Sequence, residues 1–100
     1  ILRSGEVILD ERTHMVTLKD QPVSLTPIEF DLLAILMRSP GRVFSRAELA
    51  DALVERGFTG LESTLNVHVR NLRQKNGEIA DNPTRIETVF GIGYRFHKAD

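Results

Sequence analysis

The sequence contains no cysteine, which excludes disulfide bonds, thiol catalysis and zinc sites with cysteine ligands. It has no apolar run near the roughly 18 residues of a membrane span, and its N-terminus lacks the basic-then-apolar pattern of a signal peptide. We therefore expect a cytoplasmic protein. Its 100 residues, 41% of them hydrophobic, suffice for one domain with its own core. Because the chain begins at Ile1 rather than at methionine, we expect it to be part of a longer protein.

The sequence also offers little for catalysis or cofactor binding. The histidines His14, His68 and His97 do not have the spacing of metal ligands. The run GIG at 91–93 lacks the third glycine and the following helix of a nucleotide-binding loop. The run DER at 10–12 lies in a predicted turn with no pocket in view. We predict neither an enzyme nor a metal or cofactor site.

The first quarter of the chain alternates apolar and polar residues, which is typical of half-buried strands. The runs GEVILD and HMVTLK flank a polar DERT turn, and PVSL follows a second polar turn. This pattern predicts a three-stranded antiparallel sheet over residues 5–25.

A helical core is predicted over residues 26–77, with a capping signal before each of three helices. TPIE at 26–29 combines a capping box with proline at the first helical position, and Pro40–Gly41 ends that helix. SRAE at 45–48 repeats the capping box ahead of a second helix that ends near Val54. TGLE at 59–62 repeats it ahead of the third.

The C-terminal segment predicts a hairpin. After a polar loop, IETVFGIGYRF places two β-prone runs around Gly91 and Gly93, so we predict a hairpin over 85–97 that turns at these glycines. We assign three aromatic side chains to the core, namely Phe30, Phe44 and Phe96. A second helix, a loop, a third helix and a hairpin are the layout of a winged helix-turn-helix.

The third predicted helix lies in a segment without acidic residues, STLNVHVRNLRQKNG at 63–77. Residues 63–100 carry six Lys and Arg against four Asp and Glu, whereas residues 1–62 carry seven against ten. Helical projection predicts a buried stripe of Leu61, Leu65, Val69 and Leu72. The outward face comprises Ser63, Val67, Arg70, Asn71 and Gln74, flanked by His68, Arg73 and Lys75.

Such a face suits the major groove of DNA. The amides of Asn71 and Gln74 can bond adenine, Val67 can contact a thymine methyl group, and flanking cations such as Lys75 can meet phosphates. Charge alone is equally consistent with an ordinary solvated helix face.

Three segments in order resemble a known family. LTPIEFDLLAILMRSPGRVFSRAEL, TLNVHVRNLRQK and IETVFGIGYRF resemble the OmpR/PhoB-type C-terminal effector domain of two-component response regulators, and so do the leading strands. The resemblance implies an α+β winged helix-turn-helix with an N-terminal antiparallel sheet, three helices and a C-terminal hairpin wing. It implies sequence-specific binding of double-stranded DNA, with the third helix in the major groove and the wing on the backbone or in the minor groove.

The resemblance also implies roles for individual residues. Val67 and Asn71 would face bases. The positions that would hold phosphates are Thr64, His68, Arg70, Arg73, Thr88 and Tyr94.

Three positions depart from the family pattern. Ser63, Asn71 and Phe90 stand where arginine is frequent, so we expect weaker nonspecific affinity for DNA than in a basic relative. Phe90 replaces the cation that often enters the minor groove. Because an exposed phenylalanine costs apolar hydration and wedging would demand kinked DNA, we expect Phe90 to pack against its own domain.

The resemblance implies further partners. An N-terminal receiver domain outside this chain would be phosphorylated by a cognate histidine kinase and would promote dimers on tandem half-sites, while the isolated domain would be monomeric. The loop at 55–60 corresponds to a segment that often touches RNA polymerase. Two alternatives stay open: a winged helix used for protein interaction, or the cytoplasmic domain of a membrane-anchored one-component regulator.

Overall fold

The computed structural model describes residues 1–59, 63–75 and 85–98. The helices in these ranges are α1 (Pro27–Arg38), α2 (Arg46–Glu55) and α3 (Leu65–Lys75). The strands are β1 (Leu2–Ser4), β2 (Val7–Asp10), β3 (Met15–Leu18), β4 (Gln21–Val23), β5 (Phe44–Ser45), β6 (Ile86–Val89) and β7 (Gly93–Phe96).

The N-terminal sheet has four antiparallel strands in the order β1-β2-β3-β4. Val7, Leu9 and Val16 point to one face and are buried, as the alternation predicted. The prediction of three strands was wrong by one, because β1 also joins the sheet and pairs Leu2 with Leu9. A strand of three residues is too short to show alternation, and only its pairing with β2 defines it.

The predicted capping boxes of α1 and α2 are confirmed. The Glu29 amide donates to Thr26 Oγ1 at 3.3 Å, and the Thr26 amide donates to Glu29 Oε1 at 3.0 Å. Ser45 and Glu48 make the same reciprocal pair at 3.1 and 3.0 Å. Each pair satisfies two amides that a helix start leaves unbonded, so both helices begin where the sequence predicted.

The third helix begins later than predicted. Ser63 and Thr64 form a turn, and the amides of Val67 and His68 donate to the Thr64 carbonyl at 3.0 and 3.3 Å, so α3 begins at Leu65. The predicted cap at 59–62 is therefore not the start of α3, since a carbonyl that accepts the first helical bonds marks the cap. Leu61 and Glu62 lie outside the described residues. The rest of the predicted apolar stripe is confirmed, and its buried members are Leu65, Val69 and Leu72.

The wing sheet has the order β5-β7-β6, and the two-residue strand β5 was not predicted. Gly91 has φ +78° and makes the hairpin turn, as expected. Gly93 instead lies in β7 beside β5, where a Cβ atom would come within 2.0 Å of the Phe44 carbonyl oxygen. The prediction that Gly93 serves the turn was wrong, because its missing side chain lets β5 pair with β7.

The core lies between the two sheets and the three helices. Leu32, Leu33 and Leu36 of α1 have no exposed surface. The predicted core aromatics are buried, namely Phe30, Phe44 and Phe96. None of the helices in the described ranges has the length and apolarity that a membrane span requires.

Candidate nucleic-acid interface

The outer face of α3 is presented to solvent next to the wing. Thr64, Val67, Arg70 and Gln74 are exposed, while His68 and Asn71 are half-buried. Val67 keeps 43% of its surface exposed, so an apolar group is accessible on this face. Arg70 makes no hydrogen bond or ion pair with any described residue, so its guanidinium is available to a ligand.

Arg73 lies on the flank of α3 and is bonded to the wing. Its Nε donates to the Ile86 carbonyl at 3.0 Å, and its Nη2 donates to Thr88 Oγ1 at 2.7 Å. The guanidinium also lies 5.6 Å from the centre of the Tyr94 ring. Arg73 and Thr88, both predicted to contact phosphate, therefore contact each other and fix the wing against α3.

Asn66 joins three elements and was not singled out by the sequence analysis. Its Oδ1 accepts a hydrogen bond from Arg46 Nη2 at 2.7 Å and another from the Tyr94 hydroxyl. Tyr94, another predicted phosphate contact, is only 6% exposed. The one signal in the sequence is that Asn66 is a polar residue beside the buried stripe of α3.

Lys75, predicted as a flanking phosphate contact, is bonded to the first turn of α1. Its Nζ donates to Glu29 Oε1 at 2.7 Å, and Glu29 is only 2% exposed. Burial opposes ionisation of Glu29, but hydrogen bonds from Lys75 and from Thr26 outweigh it and hold the pKa of this carboxyl below its ordinary value of 4.5. Lys75 thus neutralises a buried carboxylate and joins the end of α3 to the start of α1.

The wing tip carries exposed apolar side chains. Phe90 is 92% exposed and Ile92 is 57% exposed. The expectation that Phe90 packs against its own domain was therefore wrong. The three-residue turn 90–92, closed by the Ile92 amide bond to the Val89 carbonyl at 3.0 Å, carries the ring away from the described core.

An open cleft separates the wing from the start of α2. It is lined by Arg46 and by the wing residues 88–94. Because its lining includes the cation of Arg46 and the Thr88 hydroxyl, this cleft is suitable for an anionic group. Within the described ranges, no group of three His, Asp or Glu residues is placed to hold a metal ion.

The loop after α2, predicted to touch RNA polymerase, is described as far as Thr59. Arg56 Nη1 lies 3.1 Å from Asp31 Oδ1, and the Phe58 amide donates to the Leu53 carbonyl at 3.0 Å. These contacts hold the first half of the loop against α1 and α2.

The sequence model of the family described as "Transcriptional regulatory protein, C terminal" matches residues 20–96. The chain belongs to this family. The OmpR/PhoB-type membership and the winged helix-turn-helix fold expected from the sequence are confirmed.

Relatives of this transcriptional regulatory domain include "Sensory transduction protein RegX3" of Mycolicibacterium smegmatis, 41% identical over 95% of the chain and 42% of that protein. "Phosphate regulon transcriptional regulatory protein PhoB" of Rhizobium meliloti is 45% identical over 94% of the chain and 41% of that protein. The chain therefore spans less than half the length of these relatives.

Solved structures resemble the domain over almost its full length. The Klebsiella pneumoniae RstA DNA-binding domain, in complex with its RstA box, has a TM-score of 0.85 and 31% identity over 96% of this chain and 95% of that one. The C-terminal domain of the nisin resistance regulator NsrR has a TM-score of 0.81 and 32% identity over the same shares. These matches extend over the N-terminal sheet, most of which precedes the family match.

Proposed function

We propose that this chain is the sequence-specific, double-stranded DNA-binding output domain of a two-component transcriptional response regulator. The observation that carries the proposal is the acid-free outer face of α3, where Arg70, which pairs with no described residue, lies beside exposed Val67. The RstA domain, whose solved structure contains its DNA box, supports it through similarity over 96% of the chain.

The helix dimensions suit this function. A helix of 11 residues is about 16 Å long and about 10 Å across with its side chains, which the roughly 12 Å major groove admits. Val67 and Asn71 are one turn apart on the outer face, where they would meet successive base edges. Thr64, His68 and Arg70 would hold phosphates on either side of the groove.

Arg73, Lys75 and Thr88 make hydrogen bonds within the domain, but each still has an N–H or O–H group that can donate to a phosphate. Arg73 uses two of its five N–H groups, Lys75 uses one of its three, and the Thr88 hydroxyl accepts from Arg73 and keeps its own hydrogen. These side chains would bind DNA while they hold the domain together.

Tyr94 differs, because its hydroxyl hydrogen is already donated to Asn66. Phosphate oxygens only accept hydrogen bonds, so Tyr94 would bind phosphate only by releasing Asn66. We therefore assign Tyr94 chiefly to positioning. Arg46, which faces the cleft, retains further N–H donors and would take over the phosphate contact there.

The proposed function extends to the whole protein. It would act in the cytoplasm, without catalysis by this domain, and would carry a receiver domain phosphorylated by a histidine kinase. The isolated domain would be a monomer, and two copies would bind tandem half-sites about one helical turn apart. The loop at 55–60 would contact RNA polymerase.

The test is a selection of bound sites from random duplexes, followed by affinity measurements at two salt concentrations. The wild-type domain should enrich a defined half-site, and Arg70→Ala should weaken binding to that site. The matched control is Arg12→Ala, because Arg12 is an exposed cation in the turn after β2, in the other sheet. Failure to enrich any duplex would refute DNA recognition and favour the protein-interaction module.

A further inference from the structure

The wing tip carries apolar side chains that stay exposed in the described part of the domain. Phe90 and Ile92 flank Gly91 at the turn and are 92% and 57% exposed. Exposed single apolar residues are common, but here two large apolar side chains are exposed within one three-residue turn.

The wing is attached firmly to the domain, so this tip has a defined position. Arg73 of α3 bonds β6 at Ile86 and at Thr88. On the other side, Gly93 of β7 packs against the Phe44 carbonyl of β5. The turn itself adds only three residues beyond these attachments.

The cleft beneath the tip indicates where a DNA backbone strand would run. Arg46, Thr88 and the turn all line this cleft. Each backbone strand of a duplex separates the major groove from the minor groove. If α3 occupies the major groove and a strand passes through the cleft, the wing tip reaches the adjacent minor groove.

We infer that Phe90 and Ile92 form an apolar wedge that enters this minor groove, where Phe90 partly unstacks one base step. This inference rests on the proposed function. Apolar side chains inserted from the minor groove act in this way in architectural DNA-binding proteins. Phenylalanine has no donor, so the wedge selects DNA through the ease of deforming a step and not through hydrogen bonds to base edges.

A second copy of the chain fits the tip less well. A buried phenylalanine contributes about 150–250 Å², and a stable interface needs about 800 Å² from each partner. Two side chains at the end of a hairpin are too small for such an interface, whereas apolar side chains of this kind can be inserted at a base step.

The proposed wedge predicts that the domain prefers certain base steps in the DNA outside the half-site. Pyrimidine–purine steps such as TA and CA unstack most easily, so the wild-type domain should enrich them where the wing lies. Phe90→Ala should lose this preference. Phe90→Arg should replace it with a preference for A-tracts, whose narrow minor groove attracts cations.

The test measures affinity and unstacking with duplexes selected by the wild-type domain. Phe90→Ala should lose roughly 5- to 150-fold in affinity, the range for one base stack, with the same dependence on salt because no phosphate contact is lost. Phe90→Leu should keep most of the affinity. With 2-aminopurine placed at successive flanking positions, wild-type binding should raise the fluorescence at one step, and Phe90→Ala should not.

The matched control is Met15→Ala, because Met15 is 56% exposed on the N-terminal sheet. It should leave affinity and fluorescence unchanged, and circular dichroism should show that every variant is folded. If Phe90→Ala binds as tightly as wild type and no flanking step is enriched, the wedge is refuted while DNA binding stands. If the wild-type domain enriches no duplex, both the wedge and the proposed function fail.

Discussion

The Tyr94 hydroxyl donates its hydrogen bond to Asn66 Oδ1, so the only tyrosine of the chain connects the wing to α3. The same oxygen accepts from Arg46 at 2.7 Å, which brings the start of α2 into the network. One amide oxygen thus links two helices and the hairpin that would bind DNA.

The first prediction is that Asn66→Ala destabilises the domain by about 1–3 kcal/mol, because it removes the acceptor of the part-buried hydrogen bond from the Tyr94 hydroxyl. Tyr94→Phe should cost less, since it removes the donor together with its need for a partner. Urea unfolding of both single variants and of the double variant gives the coupling energy. Additive effects would show that the two side chains do not interact in solution.

A second prediction separates Arg70 from Arg73. Arg70→Ala should weaken binding to all duplexes and reduce the slope of log affinity against log salt by about 0.9, with unchanged stability. Arg73→Ala should weaken binding similarly and also destabilise the fold by about 1–3 kcal/mol, because it removes charged hydrogen bonds to the Ile86 carbonyl and to Thr88. Thermal unfolding and salt titration distinguish the two. Equal stability of both variants would mean that Arg73 does not hold the wing.

The third prediction concerns Asn71, which lies half-buried on the base-facing side of α3. Asn71→Ala should cost about 1–3 kcal/mol of binding on the best site and relax the preference at one base pair, which we expect to be A·T. Site selection with the variant supplies the measurement. If the variant and the wild-type domain show the same base preference at every position of the site, Asn71 does not contact bases.

A fourth prediction follows from the ionised Glu29. Its pKa in the folded protein is lowered below 4.5, so its charge contributes stability above pH 4.5, and that contribution is lost as pH falls through the lowered pKa. Glu29→Gln should therefore be less stable than wild type at neutral pH, and the difference should shrink below pH 4.5.

Glu48→Gln is the matched control for Glu29→Gln. Glu48 occupies the same capping position in α2 but is exposed. Chemical unfolding from neutral pH to about pH 3 should show a smaller effect for it. A gap between wild type and Glu29→Gln that does not change with pH would mean that the charge of Glu29 contributes nothing.

Local features of the chain were predictable from the sequence alone. The capping boxes at Thr26 and Ser45 join residues three apart, and the buried stripe of α3 follows from helical periodicity. The family followed from three segments in a fixed order. The position of Arg70 on the exposed, acid-free face of α3 was expected for the same reason, because a helix face depends only on nearby positions.

The tertiary structure decided the partners of the remaining site residues. Lys75 bonds Glu29, which is 46 positions away in the sequence, and Tyr94 bonds Asn66, which is 28 positions away. Gly93 lies against β5 and does not form the turn. Phe90 was placed wrongly because its exposure depends on how far the hairpin projects beyond the core. Helical and strand periodicity describe which face a residue takes, but the atoms opposite that face come from distant parts of the chain, and only packing of the whole domain brings them together.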